Sequence, residues 1–513
     1  MNKVVIGGGG HNALVAACYL AKAGLDVTIL EKGKLGGASV SQQVFSDYDA
    51  KLSRYAYLIA LLPDKIKKDL DIKTRTLSRS VSSFTPTFRN GKDLGLLINS
   101  EIGDKTSQDF QKVTGGESEL KSWQNFYKEV LHFAQIVAPT MLEKLPTRSE
   151  LRNRVNHSIW EDLIERPLGE ALDRNFKDDL VKGIVLTDGL IGTFTSAYEM
   201  PANICFIYHL VGNGVGEWKV PEGGMGSLVK ELSEKAIQLG VKINENCEVL
   251  EINNLSDGYE IITSNGKYKT EYFLANFAPQ ILSRLMGTNP PQSLDGAQIK
   301  INMLLKKLPR LKSEEDPRLA FAGTFHFDEE YSNFETSYLQ AKVGNIPDFI
   351  PAEMYCHTLT DPTILSNELV EKGFHTLTLF GMHLPAYLFE EDNEKTKRVV
   401  KEKLLNQLNR YLIDPIEECL APASDGSLCI EVKSPLDIEK DVALPRGNIF
   451  HKDLSMPFRE DGTPPSWGVE TQFKNIFLCG AGAIRGGGVS GIPGHNAAQA
   501  VLETLSNLSN AYK

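Results

Sequence analysis

The chain begins and ends on the same kind of element, and nothing else in it constrains the fold so strongly. Residues 4–39 read VVIGGGGHNALVAACYLAKAGLDVTILEKGKLGGAS, and residues 475–502 read NIFLCGAGAIRGGGVSGIPGHNAAQAVL. Each stretch is an apolar strand, then a glycine loop, then a helix rich in small residues. Val4, Val5 and Ile6 form a β-branched run suited to a strand buried on both faces of a parallel sheet. Gly8, Gly10 and Ala13 then match the G-x-G-x-x-G/A pattern. The first glycine permits a tight turn, the second lets the backbone approach a pyrophosphate, and the small third residue lets helix and strand pack closely. Leu14 to Ala23 predicts the helix, Gly24 its C-terminal stop, and Leu25 to Leu30 the next strand, with Glu31 at its end. A helix N-terminus carries roughly +0.5 of an elementary charge, which favours a phosphate there. A carboxylate about twenty residues past the glycines accepts hydrogen bonds from ribose hydroxyls. Glu31 fills that place and would repel a 2′-phosphate; Lys32 follows it and is counted with the cofactor residues.

The pattern alone does not separate FAD from NAD. Two further features favour FAD. Gly36 and Gly37, followed by Ala38, let a second backbone stretch approach an extended cofactor. The C-terminal element then supplies the opposite wall. There Asn475 to Cys479 predicts a strand, followed by Gly480, Gly482, Gly486, Gly487, Gly488, Gly491 and Gly494, with Pro493 fixing one φ angle. Asn496 to Leu505 predicts a helix. So many glycines cost chain entropy that a purely structural loop rarely needs. Their backbone is expected against the flavin ring and ribityl chain.

Two more stretches complete a resemblance. VPEGGMGSLVKELSEKA (220–236) carries a middle glycine motif, and FLANFAPQILSRLMG (273–287) runs a strand into an Asn-x-Ala-Pro turn. With both ends, they resemble the phytoene desaturase-like FAD-dependent oxidoreductases of the amine-oxidase/GDP-dissociation-inhibitor fold, over nearly the whole chain. SRYAYLIALLPDKIKKDLDI (53–72), IGTFTSAYEMP (191–201) and GNIFHKDLSM (447–456) look like the branch called pyridine nucleotide-disulphide oxidoreductase domain-containing protein 2. The chain has no redox-active C-x-x-C of the kind that branch name suggests. The resemblance implies that Gly8, Gly10, Ala13 and Glu31 hold the ADP half of FAD. It implies that Gly36, Gly37 and Ala38 line the approach to the flavin, and that Val249 meets the adenine through its backbone. Gly482, Gly488, Val489 and Gly491 would lie by the flavin. One departure stands out. Carotenoid desaturases carry Gly-Thr-His-Pro-Gly in the C-terminal loop, where this chain has Ala483, Ile484 and Arg485. That bears on carotenoid desaturation and not on flavin binding.

The architecture expected is α/β: a discontinuous FAD-binding Rossmann-like domain from 1–90, 215–290 and 440–513, with an inserted α+β substrate domain from 91–214 and 291–439. The middle cofactor piece predicts a helix (Gly226 to Leu239), a strand (Val241 to Ile243) and a meander through 247–252, 259–263 and 268–275. The first insertion predicts helices at 117–137, 168–175 and 177–186. The second predicts strands at 298–305, 319–327 and 374–383 and a helix at 393–412.

At 513 residues the chain exceeds one domain. Its net charge of −11 argues against nucleic acid and against broad adhesion to anionic membranes. Lys65, Lys67 and Lys68 beside Ile66 and Leu70 are compatible with a peripheral membrane contact, though an exposed amphipathic face is the plainer reading. With a first strand expected from about residue 3, no signal peptide is expected, and no run of eighteen apolar residues predicts a transmembrane helix. Seven scattered cysteines predict reduced thiols in a cytoplasm. Oligomeric state has no signature.

A flavin carries its own redox chemistry and asks the protein for orientation, electrostatics and a shaped cavity. Tyr55, Tyr57, Tyr208, His209 and Trp218 are candidate cavity residues. Arg485, expected against the flavin, could stabilise a reduced flavin or bind an acidic group. His451 is the candidate for proton transfer, and Tyr57 joins them as a catalytic candidate. His357, His375 and His383 lack metal-ligand spacing, so no metal is expected. The function expected is hydride transfer between an apolar, polyene- or isoprenoid-like substrate and flavin N5. A redox-neutral flavin isomerase, an amine oxidase, and an FAD-binding assembly protein without turnover stay open beside it.

Overall fold

The computed structural model describes residues 3–59, 61–214 and 216–511. Val215, inside the loop expected over 212–217, lies outside them. A five-stranded parallel sheet forms the heart of the cofactor half, in the order Ile476–Leu478, Tyr272–Ala275, Lys3–Gly7, Asp26–Leu30, Lys242–Asn244. Its strands come from three distant parts of the chain, as a discontinuous domain requires. The sheet is apolar because it is covered rather than solvated: helices pack on it, and Ile252, Tyr259 and Ile261 from the segment 249–263 join the same core. His11–Lys22 packs on it together with Met225–Gln238 and the C-terminal helix Ile492–Ala511. Small residues make this packing close. Ala13, Ala16 and Ala17 are buried, and a side chain at Gly494 would overlap the Asn12 carbonyl.

The meander differs from expectation at its end. Val249–Leu255, Gly258–Thr263 and Gly266–Thr270 form a separate antiparallel sheet, and the run expected as one strand over 268–275 breaks after Thr270. Gly266–Thr270 is largely exposed, whereas Tyr272–Ala275 is wholly buried and joins the parallel sheet beside Lys3–Gly7. The break lies where a half-solvated ribbon becomes a strand covered on both sides. The Thr270 hydroxyl pins the junction by donating to the Lys3 and Tyr272 carbonyls at 2.9 and 2.7 Å.

A seven-stranded mixed sheet forms the second half, in the order Ile430–Lys433, Ile299–Leu305, His375–Gly381, Ala352–Tyr355, Thr324–Phe327, Val81–Arg89, Lys92–Asn99. The hairpin Val81–Asn99 therefore sits in this sheet, although the cofactor piece was expected to run to residue 90. The strand expected over 319–327 is a short helix, Pro317–Ala320, followed by strand Thr324–Phe327. Asp316 caps the helix and Pro317 occupies its first turn, a strong start signal just ahead of the expected strand, whose first two residues the helix takes. Helices close the remaining side. Ser118–Val137, Leu168–Asn175, Asp179–Leu190 and Met200–Leu210 share one apolar core.

Among the described residues no helix is long and apolar enough to cross a membrane. The helix Asp64–Leu70 turns Ile66 and Leu70 into the cofactor-domain core, and Lys65 pairs with Asp69 at 2.7 Å. Its apolar residues are thus already covered.

Candidate functional site

A cavity of about 960 Å³ runs from the N-terminal glycines into the space between the two sheets. At its cofactor end, Gly8 takes φ +91° and Gly10 caps helix His11–Lys22 with no side-chain hydrogen bond. The first-turn N–H groups are left without a side-chain partner, as a phosphate site requires. A Cβ on Gly10 would come within 2.8 Å of Asn276 Nδ2. Glu31 grips the same loop: Gly9 N–H donates to its Oε2 at 2.6 Å and Gly33 N–H to its Oε1 at 2.8 Å. Gly36 N–H donates to the Gly9 carbonyl at 2.9 Å, laying the second glycine stretch along the first. Gly37, at φ +55°, opens into the space between them, where an added Cβ would meet nothing nearer than Gly10 Cα at 3.9 Å.

Three buried polar atoms on this wall have no hydrogen-bond partner: His11 Nε2, Asn12 Oδ1 and His451 Nδ1. Buried polar atoms are otherwise nearly always paired. An uncapped helix start, a glycine cradle and orphaned polar atoms along one cavity fit an elongated dinucleotide. Gly8, Gly10, Glu31, Lys32, Gly36, Gly37, Ala38 and Val249 all line that cavity. Ala13 does not; it is buried in the core beneath the helix, the packing place its motif position predicts.

The C-terminal loop divides in two. Gly488 and Val489 line the cavity with Ala481. Gly482 and Gly491 serve packing. A Cβ on Gly482 would approach Pro279 Cδ to 2.6 Å and His451 Cβ to 3.4 Å, and one on Gly491 would press on Val15 and Ile66. Arg485 departs most from expectation. It is fully buried outside the cavity wall, and its Nη1 donates to the Met141 and Glu143 carbonyls at 3.1 and 2.6 Å. Burial draws its guanidinium down to about 10, which leaves it charged at neutral pH. At φ +62° its backbone turns the side chain toward the 138–143 segment, so it ties the loop to the helical layer.

His451 lines the cavity at φ +66°, and burial lowers it to about 4. His11 is likewise held at about 4, by burial and then by His451. Both rings are neutral at pH 7, so His451 can accept or donate a hydrogen bond there but is not a charged acid.

The far chamber contains chemistry that composition and motifs did not reveal. Lys300 lies within the fully buried strand Ile299–Leu305, and its Nζ donates to the Tyr55 carbonyl at 2.6 Å. That Nζ stands 4.1 Å from the Tyr57 ring centre and 4.3 Å from that of Phe380. Burial holds it well below the usual lysine range. Tyr57 and Tyr355 hydroxyls donate to the two oxygens of Glu353 at 2.9 and 3.0 Å. Burial, then the neighbouring Glu329, pushes Glu353 up to about 8. Asp188, on the facing helix, is also raised by burial. His209 and Trp218 stack at 5.1 Å on the cavity wall, whereas Tyr208 turns away and donates to the Ser455 carbonyl. Lys300 and Glu353 left one signal in the sequence: each is a charge inside a mainly apolar strand, Lys300 with only Asn302 as a polar neighbour in Ile299–Leu305.

The family model for flavin containing amine oxidoreductases matches residues 14–275. An uncharacterized protein of Mycobacterium tuberculosis is 39% identical, across 98% of this chain and 97% of its own. Pyridine nucleotide-disulfide oxidoreductase domain-containing protein 2 of Rattus norvegicus is 25% identical, across 98% of this chain and 94% of its own. Among solved structures, putrescine oxidase superposes with a TM-score of 0.59 at 16% identity, over 98% of this chain and 99% of that one, a likeness of fold.

Proposed function

Because this chain belongs to the flavin containing amine oxidoreductase family and is an FAD-dependent oxidoreductase, we propose that it dehydrogenates an apolar small molecule, polyene- or isoprenoid-like in its carbon skeleton. One observation carries the reading: the cavity continues from the glycine cradle, without a partition, into a chamber walled by Tyr57, Trp123, Tyr127, Tyr355 and Phe380. Bound FAD supplies a two-electron acceptor for a hydride from substrate carbon. The chain's own residues do the rest. The Tyr57, Tyr355 and Phe380 rings, 4.6 and 4.8 Å apart about Tyr57, form a wall that orients a flat apolar skeleton and excludes water. Lys300, depressed in basicity by burial, is suited to accept the proton lost from the carbon next to the one that gives up the hydride. Glu353 fixes the two tyrosines from behind. A reducing cytoplasm suits seven free, buried cysteines.

The test is chemical. Small molecules released from gently purified protein are identified by mass spectrometry, and the FAD-loaded protein is mixed without oxygen with apolar unsaturated compounds and, separately, with a panel of amines. Flavin bleaching by the apolar set, or an apolar compound released with FAD, supports the reading. Bleaching by amines alone overturns it in favour of amine oxidation. A flavin that needs prior reduction before it rearranges a double bond, with no net electron transfer, overturns it in favour of isomerisation.

A further inference from the structure

Among the described residues of the chamber wall, Arg79 is a cation with two buried nitrogens that no hydrogen bond occupies. Arg79 precedes the strand Val81–Arg89 and lines the cavity. Its Nε and Nη1 are buried with no hydrogen-bond partner. The Tyr355 ring lies beneath the guanidinium, 5.6 Å from its carbon to the ring centre, and Tyr355 leads through Tyr57 to Lys300. Each nearby carboxyl is engaged elsewhere or kept from charging. Glu353 takes both tyrosine hydroxyls. Glu329 pairs with His326 at 2.6 Å. Glu217 pairs with Lys219 at 3.1 Å. Asp188 is held toward its neutral form by burial. A guanidinium does not lose its proton in a protein, and a buried charge without a partner is strongly disfavoured. Such a group persists where a ligand completes it.

We propose that Arg79 binds a carboxylate carried by the substrate, so that the enzyme acts on an amphipathic acid with its anionic head at Arg79 and its apolar body along the aromatic wall. This rests on the reading of the chamber as the substrate site. The guanidinium fork matches a carboxylate with two parallel N–H···O bonds. The placement also separates head from chemistry: the acid is anchored at one edge of Tyr355 while Tyr57 and Lys300 face the carbon skeleton.

The experiment compares dodecanoate, dodecanol and dodecylamine as probes of the FAD-loaded protein, reading the flavin absorbance difference spectrum and binding heat. Wild type is expected to bind dodecanoate about 10- to 100-fold more tightly than dodecanol, as a charge-assisted bidentate contact gives. Arg79→Gln is expected to erase that preference, leave dodecanol affinity unchanged and keep the FAD content of wild type. Arg79→Lys should recover part of the preference. The melting temperature of Arg79→Gln without probe should equal or exceed that of wild type, because an unpaired buried charge is removed; a structural arginine would lower it. Equal binding of acid and alcohol, tighter binding of the amine, no dodecanoate binding, or an unchanged preference in Arg79→Gln overturns the assignment. If purified protein holds FAD but no probe reaches the chamber, the carboxylate proposal fails while the family assignment stands. If the amine panel alone bleaches the flavin, the apolar-substrate reading fails first.

Discussion

The two ends of the cavity are built on opposite principles. The glycine cradle is shaped by backbone: Gly8, Gly10, Gly36 and Gly37 leave space beside the uncapped start of the first helix, and Glu31 stiffens the loop it belongs to. The chamber recognises with side chains. Lys300, Glu353, Asp188 and Arg79 arrive from separate elements and are each shifted or left unpaired by burial. Backbone recognition tolerates no added atoms; side-chain recognition tolerates exchange and changes what is bound. On the proposed reading, the cofactor is held by the rigid half, and substrate choice lies in the half whose groups can be swapped.

Substitutions can break this contrast. Gly10→Leu should weaken FAD binding roughly a thousandfold, about 4 kcal/mol, because the side chain meets Asn276 and fills the phosphate approach; flavin-to-protein ratio after gel filtration measures it, and a flavin-loaded variant would refute backbone recognition. Lys300→Met should retain FAD and slow flavin reduction by the best substrate about a hundredfold; stopped-flow reduction at saturating substrate is the check, with undiminished reduction the contrary result. Arg485→Met should cost about 1–3 kcal/mol of stability by freeing the Glu143 carbonyl, the Met141 carbonyl keeping its bond from Asn496 Nδ2, while the flavin reduction potential stays that of wild type; a shifted potential with unchanged stability would return Arg485 to the flavin. Glu353→Gln tests the smallest effect. Glu353 is raised from its ordinary 4.5 to about 8, so the folded state binds the extra proton between those values. Its contribution is present below about pH 4.5 and is lost as pH rises toward 8. Wild-type melting temperature should therefore fall across that window by a few degrees more than that of Glu353→Gln. Parallel profiles would show that Glu353 does not titrate there.

The contrast also explains what could be read from sequence. The cradle is local: Gly8 to Glu31 is one strand, one helix and one strand, and each residue's task follows from spacing. The parallel sheet, the helix Leu168–Asn175 and the long helices at 118–137 and 393–409 were legible through periodicity. Two boundaries were not. At Thr270 the chain passes between sheets without a glycine or proline to mark it, and the helix that begins at Asp316-Pro317 runs on into Leu319 and Ala320, apolar residues that read as the start of the following strand. The chamber was largely illegible because its residues are far apart along the chain and meet only through tertiary packing. Tyr57 and Glu353, 296 positions apart, share one hydrogen bond. Arg485 shows the converse. Its neighbours in sequence are cofactor-like, but its side chain follows a left-handed backbone away from them.

The close seat of the last helix on the first, where Gly494 meets the Asn12 carbonyl, has a consequence for biosynthesis. At about 5–20 residues per second a ribosome takes on the order of a minute to make such a chain, and through most of that time the opening strand lacks the partners at 272–275 and 476–478 that complete its sheet. The nucleotide pocket is therefore completed about 470 residues after its first strand has been made. Flavin capture waits for the strand at 476–478 and the helix at 492–511, and a nascent chain released before them is left with an incomplete apolar sheet for chaperones and proteases to find.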